Sequence, residues 1–220
     1  MWCIPPKQNA DFVAKMEDVL DVYALPYDEK YPVVCIDEKP YQLLDEVRDP
    51  MPMEQGISAK MDNEYKRCGT SSIFVMIEPL TGWMHANARE QRTAVDFAYE
   101  IERLVNFFPK AVKIRLTMDN LNTHVFASLY KTFSAPKARE LAKKLDIHYT
   151  PKHGSWLNIA EIAISILSKK CINKRIPSIE KLNKEIAAWE ECQNAKPKQV
   201  NWQFTTSDAR LKLKTLYPAF

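Results

Sequence analysis

Apolar residues fall at helical spacing from Phe12 to Val22, at Phe12, Val13, Met16, Val19 and Leu20, and predict an amphipathic helix. After Pro32 this spacing gives way to an unbroken apolar run, Val33-Val34-Cys35-Ile36. Such a run suits a strand covered on both faces, so it predicts a buried central strand that ends on Asp37. Residues 38–69 are rich in proline and charge and follow no period. They predict a long loop or insertion, with room for a short strand at Tyr41–Leu44. Ser72–Ile77 and Trp83–Asn87 flank the turn sequence Glu78-Pro79-Leu80-Thr81-Gly82, which predicts a hairpin. Thr93–Phe108 places Val95, Ala98, Ile101, Leu104 and Val105 on one helical face and is stopped by Pro109.

Val112–Met118 predicts the next strand, ending on Asp119. Helices over Val125–Phe133 and Pro136–Leu145 follow, with Pro136 suited to the first turn of the second. A brief strand at Ile147–Thr150 leads through the loop Pro151-Lys152-His153-Gly154-Ser155 into a helix over Trp156–Cys171. Ser178 caps a further helix to about Cys192, and a basic tail runs from Asn194. Strands interleaved with helices predict an α/β layer around a central sheet. The opening Met1-Trp2-Cys3-Ile4-Pro5-Pro6 reads as a linker entering the domain.

Hydrophobic residues make up 46% of the 220-residue chain, enough for a sizeable core. The four glycines, Gly56, Gly69, Gly82 and Gly154, form no phosphate-cradling loop, which argues against an ATP- or NAD-dependent enzyme. The formal net charge of +3 is unevenly spread. Residues 1–60 carry 6 basic and 12 acidic side chains, and residues 162–220 carry 11 and 5. The C-terminal part is therefore the better phosphate-facing candidate, although a merely solvated helix face has the same composition. Five widely spaced cysteines without a C-x-x-C pair suit a reduced intracellular protein. With no signal-like start and no apolar run near the roughly 20 residues that span a bilayer, a soluble, cytoplasmic protein without membrane contact is expected.

Two predicted strands end on aspartate, at Asp37 and Asp119. Each alone could be a turn-forming residue, but side by side in one sheet their carboxylates would converge. Glu161 lies among Ile159, Ala160, Ile162 and Ala163, where a carboxylate is costly unless paired with a lysine or bound to a metal. Three converging carboxylates repel one another, and divalent cations reverse that penalty. Oxygen-only ligands favour Mg²⁺ or Mn²⁺, which suits phosphodiester chemistry.

Three segments carry a resemblance: Val33-Val34-Cys35-Ile36-Asp37-Glu38-Lys39-Pro40, Met118-Asp119-Asn120-Leu121-Asn122-Thr123-His124, and His148 through Glu161. In this order they resemble the catalytic blocks of IS630-type transposases, within the IS630/Tc1/mariner group of DDE enzymes. The likeness extends to Phe204-Thr205-Thr206-Ser207-Asp208-Ala209-Arg210. It implies an RNase H-like fold, a five-stranded mixed sheet with helices on both faces and with the first and fourth strands adjacent. It also implies catalytic and metal-ligating roles for Asp37, Asp119 and Glu161, with two Mg²⁺ or Mn²⁺ ions: Asp37 bridging both, Asp119 on one and Glu161 on the other. Water would cut the transposon end, and the freed 3′-OH would attack target DNA, typically at TA. The implied partners are DNA and a second copy in a synaptic dimer.

Five further residues are expected near DNA. Asn120 and Asn122 either orient ligands or shape a turn. His124 contacts phosphate, assists proton transfer, or serves the core. Lys152 and His153 precede the Glu161 helix, where backbone N–H groups suit a phosphate, and Trp156 reads as a packing anchor. The expected organisation is an entering linker and helix (1–30), a DDE catalytic core (31–175) and a basic helical extension of the same domain (176–220). Relatives carry an N-terminal helix-turn-helix region that is expected to be missing here. This leaves a second reading, a non-catalytic DNA-binding or oligomerising remnant that modulates a full-length enzyme.

Overall fold

The apolar run at residues 33–36 becomes the centre of a five-stranded sheet. The computed structural model describes residues 8–58, 60 and 62–218, so the expected linker at Met1–Pro6 lies outside the described residues. The strands are β1 (Val33–Glu46), β2 (Tyr65–Glu78), β3 (Trp83–Arg89), β4 (Ile114–Met118) and β5 (Leu145–Tyr149), in the spatial order β3-β2-β1-β4-β5. β1, β2 and β3 are antiparallel, whereas β4 and β5 run parallel to β1. The sheet is therefore mixed, with the first and fourth strands adjacent, as an RNase H-like fold requires.

Alternation along the strands divides the core between the two faces. Val34 and Ile36 point with Phe74 and Met76 toward α2 (Ala94–Phe107), α3 (Phe126–Thr132) and α4 (Ala135–Lys143). Cys35 points with Val75 and Ile77 toward α5 (Ala160–Lys170) and α6 (Ile179–Ala195). A third cluster joins α1 (Ala10–Tyr23) to α7 (Thr206–Lys212) through Phe12, Met16, Leu157 and Ala209. Among the described residues no helix is long and apolar enough to cross a membrane.

Two expectations are corrected. β1 does not end at Asp37; it continues for 14 residues in all, paired with β2 as far as Glu46↔Tyr65. Beyond Cys35 it has no β4 partner, and a free strand edge tolerates the Pro40 that made this segment read as loop. The expected loop at 38–69 thus shrinks to residues 47–64. The helix expected at Trp156–Cys171 is divided into a 3-10 turn at Ser155–Leu157 and α5 from Ala160. Asn158, extended at φ −81° and ψ 109°, makes the break.

Edge strand β3 is closed by side chains of α6. Asn194 accepts from the Met84 N–H (2.9 Å) and donates to its carbonyl (2.7 Å). Asn183 does the same for Ala88, at 2.8 and 3.0 Å. These two amides occupy peptide groups that would otherwise offer a template for another strand. Replacing both with alanine should cost about 2–4 kcal/mol, since buried peptide groups lose their partners. Urea unfolding measures this, and an unchanged midpoint would show that the capping is dispensable.

Candidate active site

The short parallel pairing of β1 with β4 matches Val33 to Arg115, Val34 to Leu116 and Cys35 to Thr117. Asp37 lies two residues beyond Cys35, and Asp119 two beyond Thr117. Parallel register therefore brings both to the same end of the sheet, where β4 stops and β1 goes on beside β2. Crevices at the carboxyl ends of strands are where open α/β sheets bind ligands. Glu161 enters from the first turn of α5. Asp37, Asp119 and Glu161 all line one open cleft, together with Lys39, Ser155 and Asn158.

Asn158 sets the position of α5 against β1. Its buried side chain donates to the Ile36 carbonyl (2.9 Å) and accepts from the Ala160 N–H (3.1 Å). One residue thus ends the 3-10 turn, starts the helix and fastens that start beside Asp37.

Burial pushes the Asp37 carboxyl up to about 7; the Glu38 N–H opposes this, and the charges of Asp119, Glu38 and Glu161 add to it. The charges of Asp119 and Glu161 thus act on Asp37 across the cleft. A cation at this end of the sheet would favour the ionised form. The hard, all-oxygen donor set of Asp37, Asp119 and Glu161 fits Mg²⁺ or Mn²⁺.

Beneath the cleft lies a tighter cluster. Glu38, Asp119 and His124 offer ligand-type atoms that all lie within 4.8 Å of one another. The His124 Nε2 is 2.6 Å from Glu38 Oε1. Its Nδ1 is 3.1 Å from the Asp119 carbonyl and 2.5 Å from Asp119 Oδ1. Burial works against a charged ring, but the hydrogen bonds to Asp119 and Glu38 outweigh it and push His124 up to about 10. With both nitrogens protonated the ring donates to each side, and a metal ion would have to displace one of those protons. This trio is ion-paired and hydrogen-bonded, and among the described residues it is the group whose ligand-type atoms lie this close together. Of the three readings of His124, the core role matches its place, with a side chain that is 0% exposed.

The other expected contacts divide. Asn120, Lys152 and His153 line a second groove with Lys15 and Thr150. This groove shares Asp119 and Ser155 with the cleft, so the two adjoin. Asn122 is exposed but lines neither. His153 adopts a left-handed φ of 65°, in a turn closed by the Gly154 N–H on the Pro151 carbonyl (2.8 Å). Sequence reasoning did not single out Glu38, Asn158 or Lys15 as site residues. The first two stand inside the matched blocks, where their neighbours could have drawn attention to them. Lys15 arrives on α1 and carries no local signal.

The fold is similar to that of solved transposase complexes. The Mos1 mariner paired end complex with Mn gives a TM-score of 0.53 at 13% identity, covering 98% of this chain and 62% of that one. The Mos1 strand transfer complex gives 0.54 at 13% identity, covering 87% and 57%. This chain therefore spans less than two thirds of the length of either. The sequence has no significant match among curated proteins. The family model for the DDE superfamily endonuclease matches residues 32–183, most of the chain, and the protein belongs to that family.

Proposed function

We propose that this chain is the catalytic core of an IS630-type transposase that cleaves DNA at transposon ends and joins the freed 3′-OH to a target. The observation that carries this reading is the single cleft lined by Asp37, Asp119 and Glu161, in a chain of the DDE superfamily endonuclease family. The IS630 assignment rests on the three sequence blocks around those acids. Assembly as a dimer holding two DNA ends is supported by the likeness to a paired end complex, and a TA target follows from the IS630 resemblance.

In this reading Asp37, Asp119 and Glu161 hold two divalent ions. When bound, such ions supply a nucleophile deprotonated near neutral pH and charge stabilisation at the leaving oxygen. The protein supplies placement. The β1–β4 register sets the two aspartates, Asn158 sets the helix that carries Glu161, and the groove with Lys15 and Lys152 receives backbone phosphates. Phosphate contacts there fix the position of the duplex without reading its sequence.

Asp37→Asn and Glu161→Gln should each lower Mg²⁺-dependent nicking by about 10³-fold or more, because each removes a ligand without removing a phosphate contact. Gel-shift affinity should stay near wild type. If wild-type chain binds DNA but does not cut it in Mg²⁺ or Mn²⁺, the modulator reading replaces this one.

Lys15→Ala and Lys152→Ala should weaken DNA binding irrespective of sequence and lower the salt slope of log K by about 1 each. Slopes equal to wild type would take the groove off the DNA path.

Metal uptake should also release a proton from Asp37, since ligation requires the carboxylate. With the group at about 7 in the metal-free chain, release should approach one proton at pH 6 and vanish near pH 8.5. Mn²⁺ calorimetry in two buffers of different ionisation enthalpy measures it. The same release at both pH values, or in Asp37→Asn, would rule Asp37 out as the source.

A further inference from the structure

Glu38 and His124 take no part in the scheme above, yet they are among the most completely buried charged side chains near the cleft. Their side chains are only 3% and 0% exposed, although Glu38 also borders the cleft. Strand alternation puts Glu38 on the opposite face of β1 from Asp37. Asp37 faces the cleft on the α5 side; Glu38 faces the α2 side, where the Phe97 ring lies 4.6 Å from the His124 ring. The turn after β4 folds back with the His124 N–H on the Leu121 carbonyl (2.9 Å), which brings the ring under Asp119. The Tyr149 hydroxyl then fixes the His124 carbonyl at 2.7 Å.

This linkage sits where the backbone stops doing the same task. Parallel pairing of β1 with β4 ends at Cys35↔Thr117. Beyond it Asp119 stands outside regular structure; the His124 Nδ1 hydrogen-bonds its carbonyl (3.1 Å) and makes an ion-pair contact with its Oδ1 (2.5 Å). Glu38 Oε1, the two ring nitrogens and Asp119 Oδ1 form a continuous bridge between the two chain segments, with contacts of 2.6 and 2.5 Å. The same division of labour, an outer carboxylate orienting a histidine that orients the next group, recurs around metal sites.

We infer that Glu38 and His124 are a positioning pair for Asp119: the ring holds one carboxylate oxygen so that the other is presented to the cleft, and Glu38 fixes the ring. This rests on the reading of Asp119 as a metal ligand. Asp119 is then pre-oriented before any ion arrives, and the pair acts on metal affinity and turnover, not on DNA affinity.

The test uses amide substitutions that each replace one ring nitrogen. In His124→Asn the amide nitrogen stands near the place of Nδ1 and keeps the link to Asp119. In His124→Gln it stands near Nε2 and keeps only the link to Glu38. Mn²⁺ affinity of the full chain without DNA, followed by the EPR signal of free Mn²⁺, is the first readout. His124→Asn should stay within about threefold of wild type, whereas His124→Gln and His124→Ala should lose about 10- to 100-fold. In Mg²⁺-dependent nicking, kcat should fall in the same order while KM for DNA stays put. Melting temperatures serve as the control, and Glu38→Gln, whose side-chain carbonyl still accepts, should be the mildest variant. Folded His124→Gln with wild-type Mn²⁺ affinity would overturn the inference alone. So would Asn and Gln variants that lose affinity equally and in proportion to their melting temperatures. A wild-type chain that takes up no Mn²⁺ would overturn the functional reading and this inference with it.

Discussion

Three residue pairs of parallel sheet, Val33 to Cys35 of β1 against Arg115 to Thr117 of β4, bring Asp37 and Asp119 to the same end of the sheet. Parallel register admits no slip here, because a one-residue shift would turn Val34 and Ile36 out of the core. The same constraint that buries those side chains delivers Asp37 and Asp119 to one end of the sheet. From there the strands part company. β4 stops at Met118 and β1 continues along β2, and the gap so opened is the cleft.

What the pairing does not control is done by side chains. Asn158 bonds to the carbonyl of Ile36 and so locks the start of α5 to the residue before Asp37. His124 reaches from the turn after β4 back to Glu38. Both side chains are buried, and each bonds to a residue next to Asp37, Asn158 to Ile36 and His124 to Glu38. The electrostatic cost of gathering acids is visible at Asp37, raised to about 7 by burial and by its acidic neighbours. The His124 ring, pushed up to about 10 against its burial by its bonds to Asp119 and Glu38, offsets part of this charge.

Much of this was legible from residue order, for reasons that can be named. The buried strands and α2 carry strong periodicity, and the aspartates follow apolar runs that only a covered strand would carry. The second half of β1 was not legible. It is a ribbon with one free edge, its faces are half exposed, and Pro40 interrupts the alternation. The break before α5 was hidden because Trp156 and Leu157 continue the apolar spacing, whereas the interruption comes from a hydrogen bond to a strand more than a hundred residues away. The choice among the readings of His124 was likewise not legible, since only the tertiary fold shows that its ring packs inward, against Phe97.

The most direct test of the account is a crystal of this chain soaked in Mn²⁺ and measured at the manganese absorption edge. The account places anomalous density in the cleft, within about 2.3 Å of oxygens from Asp37 and Asp119, with Glu161 on the same or a neighbouring ion. Density bound instead between Glu38 and His124, or none beside Asp37 at saturating Mn²⁺, would contradict it.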